Sequence, residues 1–225
     1  MAGFYTDMNK YTDAHCHLLS PDIPDNIWAI TNGTHPADWD AVIKVSAQNP
    51  NVVAAIGVHP WRVTELPDNW YVILRDLLIE NPGVMVGEIG LDKYHPDMPY
   101  QLDVFTRQLE LAHELGRGIH VHCVGAWDKL LHIFKTHKAQ MPPFVLFHRY
   151  SGNPGDIVRL ADEYNAYFSY RDVDMVLLNA TPRDRILIET DSNNPSHIVE
   201  IAHAFAMVCP DTDFHTNAQR MLNNG

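Results

Sequence analysis

Short apolar or β-branched runs recur along the chain at "YTDAHCHL", "NIWAITNG", "NVVAAIGVHP", "GVMVGEIGLD", "RGIHVHC", "PFVLFHRYSG", "AYFSY" and "DRILIETDS", eight in all. Helical periodicity separates most of them. It is clearest from Pro99 to Gly116, where Leu102, Phe105, Leu109 and Ala112 recur at spacings of three and four. Pro99 opens that segment and Gly116 stands at its end. Strands alternating with helices pack as a parallel sheet covered by helices. Eight of them predict an α/β fold, a closed (β/α)8 TIM barrel, for which about 250 residues is usual. At 225 residues the chain is slightly short of that. The first two runs start too close together for a full helix between them, so a trimmed connection is expected there. An open doubly wound sheet is the competing architecture, but no Gly-rich phosphate loop follows the first run. No repeat, low-complexity run or linker divides residues 1–225, which are read as one domain.

The first run carries Asp13, His15 and His17 at every second position. Strand side chains alternate between faces, so strict alternation puts these three on one face and Ala14, Cys16 and Leu18 on the other. The same enrichment recurs at the C-terminal ends of the other runs. His59 closes the third, Glu88 the fourth, His122 the fifth, His148 the sixth and Asp191 the eighth. Active sites of TIM barrels lie at that end. Burying so much polarity costs free energy unless the groups are paired or bind metal.

Four imidazoles (His15, His17, His122 and His148) with Glu88 and Asp191 form a nitrogen and oxygen ligand set suited to Zn²⁺, Mn²⁺, Mg²⁺ or similar ions. A single catalytic zinc usually takes three protein ligands, so six fit two divalent ions per chain better. Ions about 3.5–4 Å apart clamp a phosphoryl group and activate water at neutral pH. The expected partition gives His15, His17 and Asp191 to one ion and His122 and His148 to the other. Glu88 bridges, and Asp191 also takes the proton from the attacking water.

Other residues carry weaker expectations. His59 either contacts substrate or packs beside Pro60 and Trp61. Asp13 either orients a ligating histidine or lies at the barrel bottom. Asp92 is expected in a loop or helix cap, and Tyr94 and His95 at the mouth. His35, His113, His132, His137, His197, His203 and His215 are read as surface histidines. Cys16 and Cys123 flank ligands but alternate away from the mouth, as small packed residues.

A net charge of −12 provides no general basic surface for nucleic acid or anionic lipid, so a polyanionic substrate is held locally. Three cysteines without a CxxC motif fit a reducing, cytoplasmic setting rather than a disulfide framework. The opening "MAGFYTDMNK" has no apolar leader core, and no run reaches the length of a membrane span.

The motifs taken in order resemble the TatD-type metal-dependent hydrolases (TatD DNases) of the amidohydrolase superfamily. "DAHCHL" resembles D-x-H-x-H, "AAIGVHPW" resembles G-x-H-P, and "VGEIGLDKY" resembles G-E-I-G-L-D-Y. "QLDVFTRQLELAHELG" resembles the helix before the fifth strand. "HVHC", "HRYSG" and "ILIETDS" resemble I-H-S-R, H-S-F-S-G and L-L-E-T-D-S-P, and "NAQRML" resembles the N-x-x-R-x-F tail. The resemblance implies a TIM barrel, a divalent metal site and hydrolysis, often of DNA phosphodiesters. It supports the ligand set at each matching position and favours His122 over His120. Val124 stands where the family has an Arg suited to a phosphate, Arg149 where it has Ser, and Asn193 where it has Pro. Arg149 is the candidate to supply the missing charge. The expected activity is removal of nucleotides from DNA ends, as a 3'-5' exonuclease would do it. Hydrolysis of a small ester, amide or phosphoester is the alternative, and neither a membrane nor an obligate protein partner is expected.

Overall fold

The eight apolar runs form eight parallel strands joined in sequence order. The computed structural model describes residues 11–223; the "MAGFYTDMNK" segment read above for a leader lies outside the described residues. The strands are β1 (Tyr11–Cys16), β2 (Ile27–Asn32), β3 (Val52–Ile56), β4 (Met85–Asp92), β5 (Ile119–Val124), β6 (Val145–Phe147), β7 (Ala166–Tyr170) and β8 (Ile186–Ile188). Helices α1 (Trp39–Gln48), α2 (Trp70–Glu80), α3 (Met98–Glu114), α4 (Trp127–Thr136), α5 (Ile157–Tyr164) and α6 (Met175–Ala180) connect successive strands from β2 onward. Helices α7 (Ile198–Val208) and α8 (Phe214–Asn223) follow β8. Residues 17–26 join β1 to β2 without a helix, as the short spacing predicts. At the seam, the Asp191 N–H donates to the His15 carbonyl and the His17 N–H to the Ser192 carbonyl, each at 2.9 Å. The fold is a (β/α)8 TIM barrel. Among the described residues no helix is long and apolar enough to cross a membrane.

Alternation assigns the faces. Val145, Phe147, Phe168, Ile186 and Ile188 pack in the cluster that contains the helix residues Val42, Leu74, Phe105 and Leu130. Their neighbours Leu146, Tyr167 and Leu187 join Trp28, Ile30, Ala55 and Met85 in a second cluster inside the barrel, together with Ala218 and Met221 of α8. The interior is therefore apolar at its lower end. Above this floor the inward positions turn polar.

Strict alternation fails on β1 and β4. The β1–β2 register shifts between Asp13 and Cys16. Asp13 pairs with Ala29, a residue of the helix-side cluster, while Ala14 joins Ile30 inside the barrel. The expectation that Asp13 shares a face with His15 and His17, and Ala14 with Cys16, is corrected by this bulge. A second shift between Val86 and Ile89 brackets Glu88. Close passage of β4 by β5 requires glycine at 90. A Cβ there, at φ 154°, would lie 1.8 Å from the His122 carbonyl oxygen.

Helix α3 buries two amides along its apolar stripe. Gln108 accepts from Val58 N at 2.7 Å, and Gln101 accepts from Asp92 N at 2.8 Å. These clamps fix the chain beyond β3 and the end of β4, where His59 and Asp92 sit.

Candidate metal centre

Five imidazoles converge on the Glu88 carboxylate. Its Oε2 lies 3.3 Å from His15 Nε2 and 3.5 Å from His17 Nε2. Its Oε1 lies 3.1 Å from His59 Nε2, 3.0 Å from His122 Nδ1 and 2.8 Å from His148 Nε2. Each oxygen thus faces a different set of nitrogens. Asp191 Oδ1 completes the Oε2 side, 3.3 Å from His17 Nε2. On the Oε1 side His122 Nδ1 and His148 Nε2 are 3.1 Å apart. Ligand bonds of about 2.0–2.2 Å at tetrahedral angles set neighbouring donor atoms about 3.3–3.6 Å apart. The first set falls in that range, and the second is slightly tighter. The groups His15–His17–Asp191 and His15–Glu88–His148 each bring one ligand atom per residue within 4.8 Å.

Hydrogen bonding on the far side fixes which imidazole nitrogen turns toward the centre. His17 Nδ1–H donates to the Asn32 carbonyl at 3.0 Å, so Nε2 is the nitrogen that faces the centre. His148 Nδ1–H donates to Glu189 Oε1 at 3.3 Å, so Nε2 again faces the centre. His122 turns Nε2 toward Asp92 Oδ2 at 3.5 Å and Nδ1 toward Glu88. The far-nitrogen partners of His17 and His148 are what a ligating histidine requires, whereas His122 Nε2 makes no hydrogen bond. His15 is fully buried with neither nitrogen hydrogen-bonded, and its ring stacks on His148 at 3.9 Å between centroids. A divalent ion would satisfy that orphaned nitrogen, so the residues present fit metal.

His59 differs. It too lies within ligand distance of Glu88 and His122. Its Nδ1, however, accepts the Trp61 backbone N–H at 3.1 Å. The neutral ring therefore carries its proton on Nε2, which points at Glu88 as a donor rather than a ligand. A donor at the mouth suits contact with a substrate oxygen, the first of the two roles expected for His59.

The loop ends do the positioning. His17, His59, His148 and Asp191 lie just beyond their strands rather than closing them. Arg149 and Asp191 adopt left-handed backbone, φ 42° and 48°, which turns each side chain away from its strand direction. They meet there: Arg149 Nη1 is 3.1 Å from Asp191 Oδ2. Burial pushes the Asp191 carboxyl up, but the His17 hydrogen bond and nearby imidazoles outweigh it and hold it well below the usual range. Burial pushes His17 down, yet Asp191, Glu88 and the Asn32 carbonyl lift it to about 9.

Asp13 is a positioning residue. It accepts from Thr190 N at 2.9 Å and from Thr190 Oγ1 at 2.6 Å. It therefore anchors β1 to the turn that presents Asp191, rather than sitting at the barrel bottom. Asp13→Ala is expected to weaken metal binding about 10–100-fold, measured by metal titration. Unchanged affinity beside lost thermal stability would reduce Asp13 to a structural role.

Asp92 is not confined to the loop role expected of it. Besides accepting from Tyr94 N at 2.9 Å, it accepts from Trp61 Nε1 at 2.7 Å and faces His122. Glu189, absent from the sequence reading, backs His148 and accepts from the Ser169 hydroxyl. Its signal was available, since it stands two residues after the inward Leu187. His95 stacks on Trp61 at the mouth, and Tyr94 is exposed. His120 is buried below His15, and neither of its nitrogens has a hydrogen bond. Cys16 and Cys123 pack in the helix-side cluster. His113, His132, His197 and His203 are exposed, while His35, His137 and His215 are half-buried. His215 Nδ1 lies 3.0 Å from Thr12 Oγ1, so it is not a simple surface histidine.

Residues 12–203 match the profile of the family described as TatD related DNase. The chain is 24% identical to the Cut9-interacting protein scn1 of Schizosaccharomyces pombe, over 86% of this chain and 90% of that protein. It is 25% identical to the 3'-5' ssDNA/RNA exonuclease TatD of Erwinia tasmaniensis, over 86% of this chain and 85% of the enzyme. The fold superposes on the crystal structure of YjjV, a TatD homolog from Escherichia coli, with a TM-score of 0.78 at 23% identity, covering 96% of each chain.

Proposed function

The chain belongs to the TatD related DNase family of metal-dependent hydrolases, and on that premise we propose that it removes nucleotides from the 3' end of single-stranded DNA. The observation that carries this reading is the placement of Glu88, one oxygen toward His15 and His17 and the other toward His122 and His148. In this reading His15, His17 and Asp191 would hold one divalent ion and His122 and His148 a second, with Glu88 shared between them. Such ions supply Lewis acidity to the phosphoryl oxygens and lower the pKa of water. Asp191 takes the proton from the attacking water. Its low proton affinity beside His17 suits transient rather than resting protonation. His59 Nε2–H donates to a non-bridging phosphoryl oxygen, and Arg149 adds positive charge at the rim. The reaction cleaves the last phosphodiester and releases a 5'-mononucleotide. With net charge −12, grip on the strand is confined to its end. Similarity to the 3'-5' ssDNA/RNA exonuclease TatD of Erwinia tasmaniensis supports the substrate class.

A second reading, hydrolysis of a small phosphoester, ester or amide, is favoured by one observation. Val124 brings no charge to the end of β5, and the cavity over the ligands is about 200 Å³. End-labelled single-stranded DNA incubated with Mg²⁺, Mn²⁺ or Zn²⁺ distinguishes the two. Stepwise shortening by the native protein and none by His122→Ala is the expected result. Intact DNA under every metal, with hydrolysis of small esters, would transfer the proposal to the second reading.

A further inference from the structure

Trp61 is 52% exposed, yet it is not free. Its indole N–H is held by Asp92 at 2.7 Å, and its backbone N–H by His59 at 3.1 Å. One ring neighbour, His95, lies nearly parallel at 4.4 Å and 19°; another, His59, stands edge-on at 5.0 Å and 88°. Asp92 in turn faces His122, and the Trp61 and His122 rings are 6.2 Å apart. Trp61 borders the same cavity as His17, His59, His122 and Asp191. An exposed indole locked in one orientation and coupled to a ligand residue has already lost the freedom that stacking would otherwise cost.

We infer that the Trp61–His95 stack is a platform for an unpaired nucleobase, receiving the 3'-terminal base while its phosphodiester lies against the Glu88 cluster. This deepens the function proposed above and rests on it. Three observations favour a base over another occupant. The indole N–H is already held by Asp92 while about half of the ring is exposed, so what it offers a further partner is aromatic surface rather than a hydrogen bond. Cations to track a phosphate backbone are few here: Arg62, on the same cavity wall, is engaged by Glu65 at 3.0 Å, and Arg149 by Asp191. The overall charge of −12 removes long-range attraction as a source of affinity. Stacking supplies affinity without charge, and every base offers a π face, so the platform is tolerant of sequence.

The test compares two single-stranded oligonucleotides, one ending in a 3' thymidine and one in a 3' abasic residue. Native protein is expected to prefer the base-bearing end about 5- to 150-fold in kcat/KM, the equivalent of about 1–3 kcal/mol. Trp61→Ala is expected to lose that preference, and Trp61→Phe to keep most of it. Equal cleavage of both ends by native protein overturns the platform and leaves the nuclease reading intact. A uniform loss on both ends in Trp61→Ala also overturns it, by assigning Trp61 to structure. Should no DNA be cleaved, the nuclease reading fails and binding decides the platform separately. Fluorescence is then titrated with dAMP and with deoxyribose 5-phosphate in Mg²⁺, with Trp61→Phe as the blank. Quenching by dAMP alone, and only where Trp61 is present, supports the platform; an equal response to both ligands overturns it.

Discussion

Glu88→Gln protein is expected to keep its barrel, lose metal at both proposed positions and lose hydrolysis by at least about 10³-fold, some 4 kcal/mol of transition-state stabilisation. Glutamine fills the same volume, so the side chains around it need not repack. What it lacks is the negative charge that five imidazole nitrogens approach within 3.5 Å. Its amide nitrogen is a donor with no lone pair to offer a metal, so it cannot bridge. Metal content per chain, initial rates and a thermal unfolding curve read the three parts of the expectation. Unchanged occupancy at both positions would sink the bridging role. Loss at one position alone would show that Glu88 serves a single ion.

Metal removal is expected to lower Tm by about 5–11 °C relative to protein in metal at 100 times its Kd. Saturation at that level contributes about 2.7 kcal/mol, and a chain of this size shifts by about 2–4 °C per kcal/mol. The gap has a direction with pH. Burial lowers His17, but Asp191, Glu88 and the Asn32 carbonyl raise it to about 9 in the metal-free protein, above its ordinary 6.5. A raised histidine stabilises the fold fully below the unfolded value, and that contribution is lost as pH climbs through the folded one. The metal-free protein therefore loses this support between about pH 6.5 and 9. Binding must displace the same proton, so metal affinity rises over that window. Unfolding curves with and without chelator at pH 6.5 and 8.5 should show the wider gap at the higher pH. A gap that narrows would remove His17 from the ligand set.

The barrel was legible because its strands are apolar runs and its helices repeat at three and four. The residues of the centre were legible for the complementary reason: His15, His122 and Glu88 are polar where a strand should be apolar. Less could be read where the outcome depends on register. Counting by two on β1 cannot detect the slip between Asp13 and Cys16, and so it grouped Asp13 with the imidazoles. Gln101 and Gln108 are buried on a stripe that hydrophobic periodicity treats as apolar, and their targets lie in other elements. Whether His59 offers a lone pair or a proton depends on the Trp61 backbone N–H, a turn that no spacing rule specifies. Asp92 and Glu189 act through partners 31 and 41 positions away, Trp61 and His148.

The barrel's seam lies between β1 and β8, and it is tied by His15, His17, Asp13, Thr190 and Asp191. The order of assembly follows from this. His59, Glu88, His122 and His148 come from strands and loops that are neighbours along the ring, and they can gather while the cylinder is still an open sheet. Asp191 and His17 meet only when the last strand reaches the first, 174 positions apart in the chain. In the proposed arrangement one ion can be captured early and the other acts as a clasp on the finished ring. A nascent chain would then acquire its two metals in a fixed sequence, and catalytic competence would date from the moment of closure rather than from the first metal bound.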